Sequence, residues 1–389
     1  MPGLYVHFPF CASKCIYCDF YARVRKDWNP YVEALLHEIS DRAHSLDVPP
    51  TTLYFGGGTP SLLPSALLAR VAAAISEAFG VTLPSCPAPT GHLISSCPAP
   101  TGHLIEEFTV EVNPDDITSE KASALRQAGA TRISMGVQSF DDDFLRWMHR
   151  RHTAADAMAA FDRLRKAGFD NLSLDLIFGF TGLDEARWMQ SIEQALSLQP
   201  EHISCYQMMG RWADGNEERC RRQYALLQER LSAAGFEQYE ISNYARPGFA
   251  SRHNSAYWSR EPYLGFGAGA HSFDGDRRRS WNTPDIDAYM ASEMPDQVRH
   301  DGSDQVRHDS ETLSDREIFE EKLMLALRTA EGLRLSTLTP WEQALLAQKE
   351  PVLEHLSRTG KIQRDADFVR LVPEAFFVSD DIIRSLFPD

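Results

Sequence analysis

Three cysteines crowd one short loop near the start of the chain, Cys11-x3-Cys15-x2-Cys18, directly after the apolar run Leu4–Phe8. Three thiolates can hold three corners of a [4Fe–4S] cube while the fourth iron has no protein ligand in the loop. A metal with an open position can take a small molecule, as a catalytic zinc does. The competing readings are a zinc knot or three buried thiols. A structural zinc site wants four closed ligands, usually in paired knuckles, and no partner pair follows here. The cluster is the favoured reading.

After this loop the chain repeats strand, loop and helix. Val32, Leu35, Leu36, Ile39 and Ala43 fall at helical spacing on one face. Thr51–Phe55 is a buried strand ending in Gly56-Gly57-Gly58-Thr59-Pro60, and an amphipathic helix follows from about Ser65 to Phe79. Phe108–Val112 and Arg132–Val137 read as strands around a short helix at Ser119–Ala128. A helix with Met158, Phe161 and Leu164 precedes the strand Leu172–Phe178, and one with Trp188, Ile192, Ala195 and Leu196 precedes His202–Tyr206. Six β-then-α units predict an α/β fold, a parallel sheet with helices outside it. Strands this apolar are normally covered on both faces, and a ligand sits at their C-terminal ends.

Composition narrows the function classes. The 389 residues, 43% hydrophobic, suit one large α/β domain with a smaller one. No apolar run approaches the ~20 residues that span a bilayer, and the start lacks a basic-then-apolar export signal. Seven cysteines, three in one loop, fit a reducing cytosol, so the expected compartment is cytoplasmic. A net charge of −16 argues against a general nucleic-acid surface.

Two stretches interrupt the pattern. Ser85–Ile94 recurs letter for letter as Ser96–Ile105, and Asp296–Asp301 as Asp304–Asp309. Copies this few and short do not make a solenoid; they read as duplicated surface loops that tolerate insertion. Cys86, His92, Cys97 and His103 raise metal binding as the alternative for the first pair. Beyond about residue 310, helices at Phe319–Arg328 and Pro351–Arg358 precede a hairpin signal, Lys361–Gln363 and Phe368–Leu371, a winged-helix-like pattern. Abundant Asp and Glu favour a packing or docking role there over DNA binding.

Several residues carry chemistry. Glycines in Gly56–Gly58 let the backbone approach a ligand closely, although tight turns use the same residues. Glu111 ends one strand and Asp175 lies inside an apolar run. A buried carboxylate is costly unless it meets donors such as ribose hydroxyls, an amine or an arginine; a structural ion pair is the plainer reading of each. Gln138 and Arg150 could donate to a carboxylate or nucleotide. Tyr5 could lean over a cluster or simply pack in the core.

The segments YVHFPFC-x3-C-x2-CDF, LYFGGGTPSLL, EVNPDD, RISMGVQSF, LDLIFGF, EHISCYQ, YEISNYA, RHNSAYW and LGFGAGAHS resemble the HemN-type radical SAM group, from the N-terminus to about residue 290 and more loosely beyond. The resemblance implies a partial (β/α)6 radical SAM barrel over 1–235, a family-specific extension over 236–309 and a winged-helix-like HemN-type domain over 310–389. It implies a [4Fe–4S] cluster on Cys11, Cys15 and Cys18, and S-adenosylmethionine (SAM) contacts at Tyr5, Gly57, Gly58, Thr59, Glu111, Gln138, Arg150 and Asp175. The group contains oxygen-independent coproporphyrinogen III dehydrogenases and the HemW branch of haem chaperones. The dehydrogenases resemble C-x3-C-x2-C-x-C with a long leading segment, whereas here Phe20 takes the fourth position and ten residues precede Cys11. His253-Asn254-Ser255-Ala256-Tyr257-Trp258 is similar to the H-N-x-x-Y-W element of the chaperone branch. That implies haem contacts at His253, Tyr257 and Trp258, with a hydrogen-bonded core histidine as the plainer reading of His253. The expected partners are haem and recipient haem proteins, membrane respiratory enzymes among them, and a homodimer is open.

Two departures stand out. Gly179-Phe180-Thr181-Gly182 replaces a G-[LF]-P-G element, and Met208–Asn216 reads MMGRWADGN where a Glu-x-Gly-Thr stretch is expected. Altered ligand affinity is one consequence; a scaffold that binds a cluster without SAM is another.

Overall fold

A computed structural model describes residues 2–19, 21–25, 28–84, 102–293 and 308–388. Six parallel strands form its centre: β1 (Gly3–Phe8), β2 (Thr52–Gly57), β3 (Glu107–Val112), β4 (Arg132–Gln138), β5 (Leu172–Phe178) and β6 (His202–Gln207), paired in that order. The helices that follow them are α1 (Trp28–Asp41), α2 (Ser65–Ala78), α3 (Ser119–Gln127), α4 (Ala154–Lys166), α5 (Glu185–Ser197) and α6 (Glu217–Ala233). The parallel strands with helices outside them are what the strand-and-helix periodicity predicts, and together they make the partial (β/α)6 barrel that the resemblance implies.

The sheet does not close on itself but continues past both ends. Beyond β6 it adds β8 (Asn243–Ala245) and β7 (Glu237–Gln238), both antiparallel. Beyond β1 it adds β9 (Tyr263–Phe266), which is parallel to β1. The antiparallel strands β10 (His271–Phe273), β11 (Arg278–Asn282) and β12 (His308–Thr312) come next. The strands between residues 237 and 312 therefore extend the same sheet.

Alternation along the strands separates two environments. Leu4, Val6 and Phe8 of β1, Phe108 and Val110 of β3, and Leu172 and Leu174 of β5 are buried and belong to the apolar core. Each such side chain contributes about 1.5–3 kcal/mol by leaving water. The opposite positions are polar: Tyr5, His7, Tyr54, Thr109, Glu111, Arg132, Ser134, Asp175, His202 and Ser204. The sequence reads as strands apolar on both faces; the structure gives them one apolar face and one polar face lining the barrel.

Local differences have simple causes. Met158 is 36% exposed, because α4 buries Ala157, Ala160, Phe161 and Leu164 instead. Ala43 lies in the turn after α1. The second copy of the first repeat is not wholly a loop. His103–Leu104 pairs with Val81–Thr82, and Ile105 is fully buried. The second copy of the other repeat runs into β12 at His308. Cys86, His92, Cys97 and Phe20 lie outside the described residues, and His103 sits on a short exposed strand.

The C-terminal part holds α8 (Asp315–Leu327), α9 (Pro340–Gln348) and α10 (Glu350–Arg358), with capping boxes Ser314/Glu317 and Thr339/Glu342 starting the first two. A three-stranded sheet follows, with β15 (Phe368–Leu371) between β13 (Leu333–Arg334) and β14 (Ile362–Arg364). Main-chain hydrogen bonds from Ile241 to Arg328 (3.1 Å) and from Ala330 to Tyr239 (3.0 Å) tie this module to the barrel sheet beside β7.

Candidate functional site

A cavity of about 860 Å³ opens where β2 to β6 end and their loops begin. It collects Cys11, Cys15, Cys18, Gly57, Gly58, Thr59, Glu111, Gln138, Arg150 and Asp175, which the chain spreads over 165 positions. A second hollow of about 680 Å³, between Met158 and Arg246 on the outer helical face, contains none of them.

The glycine segment is shaped by its neighbours. Gly57 has φ of +111°, and a Cβ there would meet the His7 ring at 2.5 Å. A Cβ on Gly58 would lie 2.6 Å from the Phe10 carbonyl oxygen. Only glycine lets β2 end this close to the strand that leads into the cysteine loop. Gly57 N–H then donates to Glu111 Oε2 at 3.1 Å, and Tyr54 O–H donates to Oε1 at 2.8 Å. Burial pushes the Glu111 carboxyl up to about 7, against the pull of Tyr54. Asp175 accepts from Ser134 Oγ at 3.1 Å, and burial raises it too.

A polar chain links three loops to the cysteines. Cys11 Sγ lies 3.7 Å from Thr59 Oγ1, which accepts from Asn113 Nδ2 at 3.0 Å. Arg150 Nη2 donates to Asn113 Oδ1 at 2.6 Å and to the Gly136 carbonyl, while its Nη1 donates to Cys15 Sγ at 3.6 Å. The Arg150 Nε–H is buried without a partner among the described residues. Gln138 reaches the cavity from a bulge in the β4–β5 pairing, with φ of +72°. Such strain is found where a site fixes the backbone.

Tyr5 lies one layer below: it does not line the cavity, and its hydroxyl is 3.0 Å from His7 Nδ1. His253 is at the other end of the barrel. It is buried on α7 (Arg252–Trp258), with Nδ1 2.8 Å from Thr52 Oγ1 and Nε2 2.9 Å from Tyr257 O–H. Its ring stacks on Tyr54 at 5.0 Å, and burial lowers its pKa to about 3. Trp258 ends the same helix, half-buried.

The two departures meet each other. Phe180 bridges to Ala213, Thr181 N–H donates to the Trp212 carbonyl at 3.2 Å, and Asp214 N–H to the Gly179 carbonyl at 2.8 Å. Asn113, Tyr54 and Ser134 were not singled out from the sequence. The signal was period two: Tyr54 stands two residues before Gly56, Asn113 two after Glu111, and Ser134 two before Gly136.

The donor set suits a multi-iron cluster. The three thiols are half-buried on the cavity wall. Burial raises the Cys11 thiol, and the nearby Cys18 and Cys15 raise it further, so three thiolates here call for a cationic centre. Among the described residues no three His, Cys, Asp or Glu side chains converge as one metal ion would demand. A cube takes one thiolate per iron and needs no such convergence.

An open six-stranded α/β barrel with a cysteine loop at its mouth defines the radical SAM superfamily, whose profile matches residues 5–195. That superfamily implies a [4Fe–4S] cluster and SAM. The HemN C-terminal domain profile matches residues 313–378. The fold superposes on coproporphyrinogen III oxidase (HemN) from Escherichia coli with a TM-score of 0.78, covering 99% of this chain and 90% of that one; at 20% identity the likeness is one of fold. Heme chaperone HemW of Bacillus subtilis is 32% identical over 98% of both chains. Its namesake from Synechocystis is 31% identical over 98% of this chain and 95% of its own. The chain belongs to the HemW family. Among the described residues, no helix is long and apolar enough to cross a membrane.

Proposed function

We propose that this chain is a cytoplasmic haem chaperone that holds a [4Fe–4S] cluster and SAM in the barrel mouth and delivers haem to haem proteins such as respiratory cytochromes. The observation that carries this reading is the 32% identity over 98% of both chains with a relative named a haem chaperone.

Cys11, Cys15 and Cys18 would hold the cluster, and Arg150 would steady Cys15 through its Nη1–H. Gly57, Gly58 and Thr59 would present backbone to the methionine end of SAM. Glu111, held by Gly57 N–H and Tyr54 O–H, would receive the ammonium. Asp175 and Gln138 would face the ribose, with Ser134 orienting the Asp175 carboxylate. Tyr5, one layer down, would support this wall through His7. When bound and reduced, the cluster supplies an electron that can cleave SAM; the protein's part is to position and shield it.

The test is anaerobic reconstitution with iron and sulfide, SAM calorimetry, haem titration by absorbance, and incubation with reductant, SAM and coproporphyrinogen III. The expected result is stoichiometric haem binding and SAM binding without decarboxylated product. Decarboxylated product that disappears in Cys15→Ser would overturn the reading and make the chain an enzyme.

A further inference from the structure

We propose that the haem cargo docks across the barrel mouth, with His149 and Met209 ligating its iron and Lys14 and Arg23 facing its propionates. This rests on the haem-chaperone reading above.

Haem asks three things of a surface: apolar area for the macrocycle, cations for two carboxylates, and axial donors, commonly a His nitrogen or a Met sulfur. The mouth supplies all three. Among the described residues seven large hydrophobic side chains are exposed, and three of them, Val24 (63%), Tyr206 (44%) and Met209 (77%), line this one opening. Exposed apolar groups gathered at one place mark a binding surface. Lys14 and Arg23 are exposed at the same opening and have no ion pair among the described residues.

His149 is the imidazole at this rim. It is exposed, it lines the cavity, and its side chain has no hydrogen-bond partner among the described residues. Its φ of +60° is a conformation that a non-glycine residue adopts at a cost. The His149 and Met209 segments are held together. Trp147 packs edge-on against Trp212 at 5.5 Å, Trp212 Nε1–H donates to the Ile16 carbonyl at 3.2 Å, and Ile16 N–H donates to the Met148 carbonyl at 3.5 Å. These contacts link the segments that carry both donors to the cysteine loop. His253, by contrast, has both nitrogens engaged in the buried floor.

The test is haem titration of the full-length, cluster- and SAM-loaded chain, read by absorbance and electron paramagnetic resonance. His149→Asn removes the imidazole with a residue that tolerates the left-handed backbone, and Met209→Leu removes the sulfur at similar volume. The wild type is expected to show low-spin iron with the charge-transfer band of a thioether ligand. His149→Asn should turn the iron high-spin and weaken binding by roughly ten-fold or more, on the scale of losing a group around a metal. Met209→Leu should lose the thioether band, Lys14→Glu with Arg23→Glu should weaken binding without changing spin state, and SAM calorimetry should be unmoved in His149→Asn. Unchanged spectrum and affinity in both ligand variants would overturn the assignment, as would loss of haem only in His253→Gln. A wild type that binds no haem would overturn the chaperone reading itself.

Discussion

The floor and the mouth of the barrel are made from the same six strands, yet they treat polar side chains differently. At the floor, the His253 imidazole is bonded on both nitrogens, to Thr52 and Tyr257, and so is His202, to Ser173 and Tyr239. Glu107 accepts from Ser251 Oγ–H, Arg252 N–H and His253 N–H, closing the start of α7. At the mouth, Glu111 and Asp175 are bonded from the strand side and line an open cavity, and Arg150 Nε–H has no partner among the described residues. Full pairing meets what burial demands, whereas partial pairing leaves donors and acceptors for a ligand. The bonded His253 fits the plainer of its two readings, a hydrogen-bonded core histidine.

Four substitutions can break or sharpen this contrast. Glu107→Ala leaves three donors at the floor, two of them buried, without their acceptor and should cost about 3 kcal/mol or more in urea unfolding. A loss under about 1 kcal/mol would show that the floor is not closed by this carboxylate. His253→Ala should cost about 2–4 kcal/mol through lost packing and unpaired neighbours. The folded-state pKa of His253 is near 3, against its ordinary 6.5, so its contribution is present above 6.5 and is lost as pH falls toward 3. The variant's stability should therefore fall less steeply over that window.

Glu111→Gln acts at the mouth. SAM affinity should drop by about 1.5–3 kcal/mol, the worth of a hydrogen bond to a charged group, measured by calorimetry. The carboxyl titrates near 7 in the unliganded fold against an ordinary 4.5, so wild-type stability falls as pH rises from 4.5 to 7 and the variant's should be flatter there. Binding an ammonium requires the ionised form. Wild-type SAM affinity should therefore rise with pH and level off above about 7, whereas the variant's should not.

Arg132→Met probes the layer between the two ends. Arg132 is 1% exposed, with Nε and Nη1 lacking partners among the described residues. Burial raises Glu111 and Arg132 partly offsets it. The variant should shift the SAM affinity profile to higher pH while stability changes by about 1 kcal/mol or less, since a buried unpaired cation brings little net stability. A profile that stays in place would separate Arg132 from the site.

The barrel was legible because its signals are local. All six strands follow apolar runs, and each βα unit repeats the last. The cysteine loop was legible from spacing and the glycine turn from composition. The Thr59–Asn113–Arg150 chain was not, because it forms only when three loops meet. Glu38 is a similar case: buried on α1, it accepts from Gly267 N–H, Asn282 Nδ2–H and Tyr289 O–H, all more than 220 residues away. The charged strand Arg278–Asn282 lacked apolar alternation because it lies near the sheet's edge. Met158 misled because alanines, which carry little hydrophobic signal, bury their side of α4.

The main-chain bonds from Ile241 to Arg328 and from Ala330 to Tyr239 have a consequence for handling the protein. They occupy amide and carbonyl groups beside the last strand of a twelve-stranded sheet, the place where a foreign strand would add. A chain cut before Asp315 would bare that seam and be prone to polymerise edge to edge, even with the cysteine loop and its cavity intact. By covering that seam the small terminal module is expected to limit self-association, which sedimentation of the cut chain would check.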